Sequence, residues 1–168
     1  MNDIEALRTA IEMEKESLSR YLQFARKTKD VSGKNMFIRL ATDEFSHMEM
    51  LNGVLENLME QKGWIKVQLD KSEVEKVVPK LRERDVKIRT TEGLDELSAL
   101  ETALELEERG IKYYGEQGQR AESDEAKSMY GRLEEMEKAH FDLILAERDY
   151  IKNTGFWFGV REFSLEMY

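Results

Sequence analysis

The sequence contains no cysteine. That excludes disulfides, thiolate metal sites and iron–sulfur clusters held by these residues, and it suits a reducing cytoplasm. Proline is nearly absent as well, with Pro79 alone, so little interrupts long helices. No apolar run approaches the roughly 20 residues of a membrane-spanning helix, and the N-terminus enters a helical pattern without an apolar signal region. A cytoplasmic protein that is neither exported nor membrane-bound is expected. An excess of positive charge is missing too. The net charge is −9 with both signs interspersed, which speaks against nucleic acid or an anionic membrane as a partner. Histidine is scarce, with only His47 and His140.

What is present suits helices. Charged residues make up 36% of the 168, and Glu, Leu and Lys dominate, as in long amphipathic helices. The length fits one domain, which buries roughly two-thirds of its unfolded surface. Apolar residues recur at helical spacing in four long segments. The first runs from about Asp3 to Thr28, capped by Asn2 or Asp3, with Ile4, Leu7, Ile11, Leu18, Tyr21 and Ala25 in its row. The second runs from about Ser32 to Lys62, with Gly63 as its stop and Phe37, Leu40, Leu51, Val54 and Leu58 in its row. The third runs from about Glu92 to Ala121 after the cap Thr91, with Leu97, Leu100, Leu104, Ile111 and Tyr114. The fourth runs from about Asp124 to Lys152 after the cap Ser123, with Tyr130, Leu133, Ile144 and Ile151.

Helices one and two, and three and four, are joined by a few residues only, so they are expected to be antiparallel neighbours. The connector Gly63–Thr91 is much longer. It can reach roughly 90 Å when extended, against about 45 Å for the second helix. It can therefore return along the whole bundle, with a short helix near Ser72–Val78. The expected fold is all-α, a four-helix bundle of two helix-hairpin repeats with a long crossover. Residues 1–152 form the bundle. Residues 153–168 form a tail whose Phe156, Trp157, Phe158, Phe163 and Tyr168 are expected to pack on the bundle or on a second subunit.

The two halves repeat without a gap. An offset of 93 residues pairs Glu14 with Glu107, Tyr21 with Tyr114, Glu44 with Glu137 and His47 with His140. Met36 and Met129, Arg39 and Arg132, and Trp64 and Trp157 match at the same offset. The tryptophans are expected to cover the bundle ends, and Met36, Met48, Met50 and Met129 to serve packing.

Each apolar row carries intruders. Glu14 lies between Ile11 and Leu18, Glu44 and His47 between Leu40 and Leu51, Glu107 between Leu104 and Ile111, and Glu137 and His140 between Leu133 and Ile144. A lone glutamate on a glutamate-rich helix is ordinarily solvated, and a lone Glu-x-x-His carries little weight. Here one Glu from each of two helices joins a Glu-x-x-His from each of the other two, the di-metal carboxylate pattern of bundle proteins. Each buried charge costs several kcal/mol, whereas a whole domain is stable by about 5–15 kcal/mol. No Lys or Arg shares these rows, so two divalent cations are the natural counter-charge. The donor set suits iron or manganese, with zinc as a possible substitute. Tyr21 and Tyr114 follow Glu14 and Glu107 by seven residues, a rise of about 10.5 Å. That is too far to bond their own glutamates. Each can reach the glutamate of the other half, Glu107 or Glu14, or can fill core with its hydroxyl bonded elsewhere.

These residues resemble the ferritin-like superfamily and most of all the rubrerythrin family, from Glu5 to about Tyr150. The resemblance implies that Glu44 and Glu137 bridge two irons, that Glu14 with His47 and Glu107 with His140 complete one metal each, and that helices one and three are antiparallel. Tyr21 and Tyr114 would support the site. It implies a di-iron oxidoreductase, a non-haem peroxidase reducing hydrogen peroxide. The alternatives are a ferroxidase that handles iron, or a non-enzymatic metal-binding module. Two-domain rubrerythrins also carry a four-cysteine iron site, absent here, so electrons are expected from an external carrier such as rubredoxin. A homodimer or small homo-oligomer is expected. Rubrerythrins proper have a further glutamate three residues after the third-helix ligand. That position is Gly110 here and Ser17 in the first half, which makes the site more symmetric, as in bacterioferritin.

Overall fold

The computed structural model describes residues 2–81, 94–154 and Trp157. The cap Thr91 and the tail residues Phe156, Phe158, Phe163 and Tyr168 lie outside them. Five helices are described: α1 (Asp3–Lys27), α2 (Val31–Met59), α3 (Glu73–Leu81), α4 (Leu94–Arg120) and α5 (Asp124–Thr154). No strand occurs among the described residues. The architecture is a ferritin-like helical bundle. No helix among the described residues is long and apolar enough to cross a membrane.

Local chemistry sets the helix ends. Asn2 caps α1, accepting from the Glu5 backbone N–H while the Glu5 carboxylate accepts from the Asn2 N–H, a reciprocal capping box. Asp30 caps α2 through the N–H groups of Ser32 and Gly33. Ser123 accepts from the Ala126 N–H at the start of α5. The end of α2 departs from expectation. It stops at Met59, before Lys62 and Gly63. Gln61 enters the left-handed region with φ 59°, ahead of Gly63 at φ 80°, so the chain turns over several residues instead of at one glycine.

α1 pairs with α2 and α4 with α5 through the short turns. Across the hairpins, Tyr21 reaches Glu107, Arg109 reaches Glu16, and Tyr114 reaches Glu14. Rising numbers on α4 meet falling numbers on α1, so the two helices are antiparallel. The same holds for α2 and α5, where His140 meets Asp43 and His47 meets Glu137.

The core divides into two apolar clusters. One gathers Tyr21, Met36, Phe37, Leu40, Leu100, Ala103, Ile144, Ile151 and Trp157. The other gathers Leu7, Ala10, Leu51, Tyr114, Met129, Tyr130 and Leu133, with Leu58 and Trp64 against it. These are the same positions at the 93-residue offset. Even the indole bonds repeat. Trp64 donates to Asp3 at 3.1 Å and Trp157 to Glu96 at 2.9 Å. The tryptophans thus pack on opposite clusters, as expected of end covers.

The described part of the connector, residues 63–81, travels from one cluster to the other along α5. Trp64, Val67 and Leu69 lie on the second cluster, and Val74, Val77 and Val78 of α3 are buried in the first. Arg132 fastens it. Its guanidinium donates to both carboxylate oxygens of Glu75 at 2.6 Å and to the carbonyls of Leu69 and Asp70 at 3.2 Å. Ser72 and Glu75 form a second capping box at the start of α3. α3 runs past Val78 through Pro79 to Leu81. Pro79 forfeits one backbone bond, and the three buried valines hold the helix on α5 regardless.

Candidate metal centre

Between the two apolar clusters lies a polar layer. Glu14 on α1, Glu44 and His47 on α2, Glu107 on α4, and Glu137 and His140 on α5 are all at most 4% exposed. The helices deliver them because residues three apart share a face, so each Glu-x-x-His aims both side chains inward. The two imidazoles stack with ring centroids 5.7 Å apart.

The donors form two groups. One atom each from Glu14, Glu44, His47 and Glu137 lies within 4.8 Å of the others, and so does one each from Glu44, Glu107, Glu137 and His140. Glu44 and Glu137 belong to both groups. His47 Nδ1 stands 3.5 Å from an oxygen of each of Glu14, Glu44 and Glu137. His140 Nδ1 stands 3.1 Å from Glu44 and 3.6 Å from Glu107. Donors that each bond a first-row metal at about 2.1 Å lie about 3–3.5 Å apart, close to these spacings. Glu44 Oε1 and Oε2, Glu107 Oε2, Glu137 Oε1, His47 Nδ1 and Nε2, and His140 Nδ1 are buried without a hydrogen-bond partner. Buried polar atoms are normally satisfied. All of these except His47 Nε2 belong to the clustered donors, and so many orphans together fit a site that could hold cations.

The tyrosines divide the labour within two carboxylates. The Tyr21 hydroxyl donates to Glu107 Oε1 and the Tyr114 hydroxyl to Glu14 Oε1. Glu107 Oε2 and Glu14 Oε2 are then left facing His140 and His47. Burial, then the charges of Glu107 and Glu44, push the Tyr21 phenol well up. Burial and the Glu14 charge do the same for Tyr114. Both therefore stay protonated and donate.

Electrostatics strain the cluster. Burial, then the charges of Glu137 and Glu14, push Glu44 up to about 8. Burial and the charges of Glu107 and Glu14 raise Glu137 as well. Burial alone would raise Glu14, but its close approach to Glu44 and His47 outweighs it and holds Glu14 at about 2. Burial alone would lower the histidines, but surrounding carboxylates push both well up. Among the described residues, the only cationic side chains within 4 Å of these carboxylates are His47 and His140. Four carboxylates and two imidazoles brought together this way could hold metal cations.

Gly110 has a steric role. A Cβ there would lie 2.7 Å from Glu137 Oε2, so the absent side chain gives this shared carboxylate its place. Ser17, its counterpart, is buried.

Some polar residues of the core were not singled out from the sequence. Asp43, beside Glu44, is buried and its Oδ2 lies 3.1 Å from His140 Nε2. Its place three residues after Leu40 is the signal that could have found it. Burial opposes its ionisation, but hydrogen bonding to His140 prevails and holds Asp43 below its ordinary value. Glu147 is also buried, at the position equivalent to Val54. An acid in an apolar register was the legible clue.

Searches of curated proteins and of solved structures return no significant match. The sequence model of the rubrerythrin family matches residues 5–148, which span all six clustered donors and the crossover between the hairpins. The chain belongs to the rubrerythrin family.

Proposed function

We propose that this protein is a di-iron oxidoreductase that reduces hydrogen peroxide to water, with electrons from an external carrier such as rubredoxin. The observation that carries the reading is the pair of four-donor groups sharing Glu44 and Glu137. Two iron(II) ions held there would supply the two electrons that peroxide needs, taking two protons to give two waters and leaving two iron(III).

The chain's own residues do the holding. Glu44 and Glu137, common to both donor groups, would serve both metal positions. Glu14 with His47 completes one, and Glu107 with His140 the other. Four carboxylates balance two divalent charges, which offsets a desolvation cost that unpaired acids could not meet. Tyr21 and Tyr114 fix one oxygen of each terminal carboxylate, so the other stays aimed inward. The apolar clusters on either side limit water at the donors. Manganese or zinc could occupy the same set. A cytoplasmic homodimer or small homo-oligomer is the assembly we expect.

Oxidation of iron by oxygen is the second reading, favoured by the near-symmetric donors and by Gly110 in place of a further carboxylate. Rapid mixing of anaerobic iron(II)-loaded protein with peroxide or oxygen distinguishes the two. Faster oxidation by peroxide supports the proposal. Faster oxidation by oxygen transfers the protein to iron handling.

A further inference from the structure

The repeat is broken at one point that touches the site. Asp43 precedes Glu44 on α2, and the position equivalent to Asp43 on α5 is Met136. Both are buried. The consequences for the two histidines differ. His140 Nε2 lies 3.1 Å from Asp43 Oδ2. That contact holds the ring with Nε2 on Asp43 and Nδ1 turned toward Glu44 and Glu107. His47 has no such support. Its Nε2 is buried with no hydrogen-bond partner among the described residues, and a methionine thioether is at best a weak acceptor.

We infer that Asp43 is a positioning residue that makes the two metal positions unequal, so that the position of Glu107 and His140 takes the first divalent cation. The inference rests on the di-metal reading above. The physical reason is the general one for metal-bound imidazole. A carboxylate on the far nitrogen fixes the tautomer, locks the ring and raises the basicity of the near nitrogen, and its loss costs 10–100-fold in metal affinity. Here that support is given to His140 and withheld from His47, although the direct donor sets match residue for residue. The two positions share Glu44 and Glu137, so the first cation also weakens the site for the second by repulsion. A small intrinsic preference therefore becomes an ordered filling.

Cobalt(II) is a suitable probe, because its anomalous scattering locates it without turnover. Crystals of the metal-free full chain are given one equivalent. Wild type is expected to show cobalt at the His140 position at about tenfold or more over the His47 position. Asp43→Ala should bring the two occupancies level. Asp43→Asn, whose amide oxygen can still accept from Nε2, should keep part of the preference. Equal occupancy in wild type, or an unchanged preference in Asp43→Ala, would overturn the inference and leave the di-metal reading intact. Cobalt at neither position would overturn both. Should Asp43→Ala fail to fold, the wild-type occupancies decide alone.

Discussion

Glu16 and Arg109 occupy equivalent positions in the two halves, 93 residues apart, and yet they bond to each other at 2.6 Å. Equivalent residues can touch only near the axis that relates the halves. That axis therefore passes between α1 and α4. The stacked pair His47 and His140, also equivalents, places the same axis at the centre of the polar layer. The candidate metal centre is thus built on a pseudo-twofold, and each half supplies one glutamate and one Glu-x-x-His.

Symmetry predicts paired responses. Tyr21→Phe and Tyr114→Phe each remove a buried hydrogen bond to a carboxylate, worth about 1.5–3 kcal/mol. For a chain of this length that is about 3–12 °C in Tm. Both variants of the metal-free protein are expected to lose comparable stability by thermal unfolding. A change below about 1 °C in either would mean that the hydroxyl does not hold its glutamate.

Gly110→Ala should separate folding from loading. Alanine gains about 1 kcal/mol of helix propensity over glycine, but its Cβ meets Glu137 Oε2 at 2.7 Å. The variant is expected to fold and to bind metal more weakly in equilibrium dialysis. Affinity equal to wild type would contradict the steric role. Gly110 also offers no carboxylate to compete for iron, so His47 and His140 should keep their metals in both redox states. Structures of the oxidised and reduced protein check this. A shift of a metal by more than about 1 Å, with loss of a histidine bond of about 2 Å, would count against it.

The Arg132–Glu75 pair should matter at neutral pH and lose its effect in acid. Burial would raise Glu75, but the Arg132 hydrogen bond and charge hold it below 4.5. A lowered folded-state value contributes stability above the unfolded value, and this is lost as pH falls through the folded one. Arg132→Ala is expected to cost about 1.5–3 kcal/mol at pH 7 and to speed proteolysis of the connector. The difference from wild type should shrink below about pH 4. An unchanged gap between pH 7 and the acid limit would show that the pair is not the source.

The metal-free protein should weaken on the alkaline side. Glu44 is raised from 4.5 to about 8, and both histidines are raised as well. Raised values contribute stability that is present below the unfolded values and lost as pH rises through the folded ones. Chelated protein is therefore expected to show a lower Tm at pH 9 than at pH 6.5, and metal loading should remove most of the difference. A metal-free Tm that rises over this interval would contradict the description of the cluster.

Much of this was legible because burial and chemistry conflict so plainly in the sequence. Glu14, Glu44, Glu107 and Glu137 interrupt apolar rows, and helical spacing alone places them inside. The cross-half bonds of Tyr21 and Tyr114 were one of two readings, and only packing chooses between them. The end of α2 was misread because Gly63 looks like a stop, while the turn is made by Gln61 at φ 59°. The α3 helix was cut short at Pro79 because propensity says nothing of the three valines that α5 would bury. Asp43 was missed because an acid beside Glu44 looks like a solvated helix residue until His140 arrives from another helix.

The most direct measurement is an anaerobic iron(II) titration of metal-free protein, followed by metal analysis after desalting, for wild type, Glu44→Ala and Glu137→Ala. Two irons per chain in wild type and fewer than two in each variant are predicted, because each glutamate belongs to both donor groups. Two irons per chain retained in both variants, or none in wild type, would contradict the central claim.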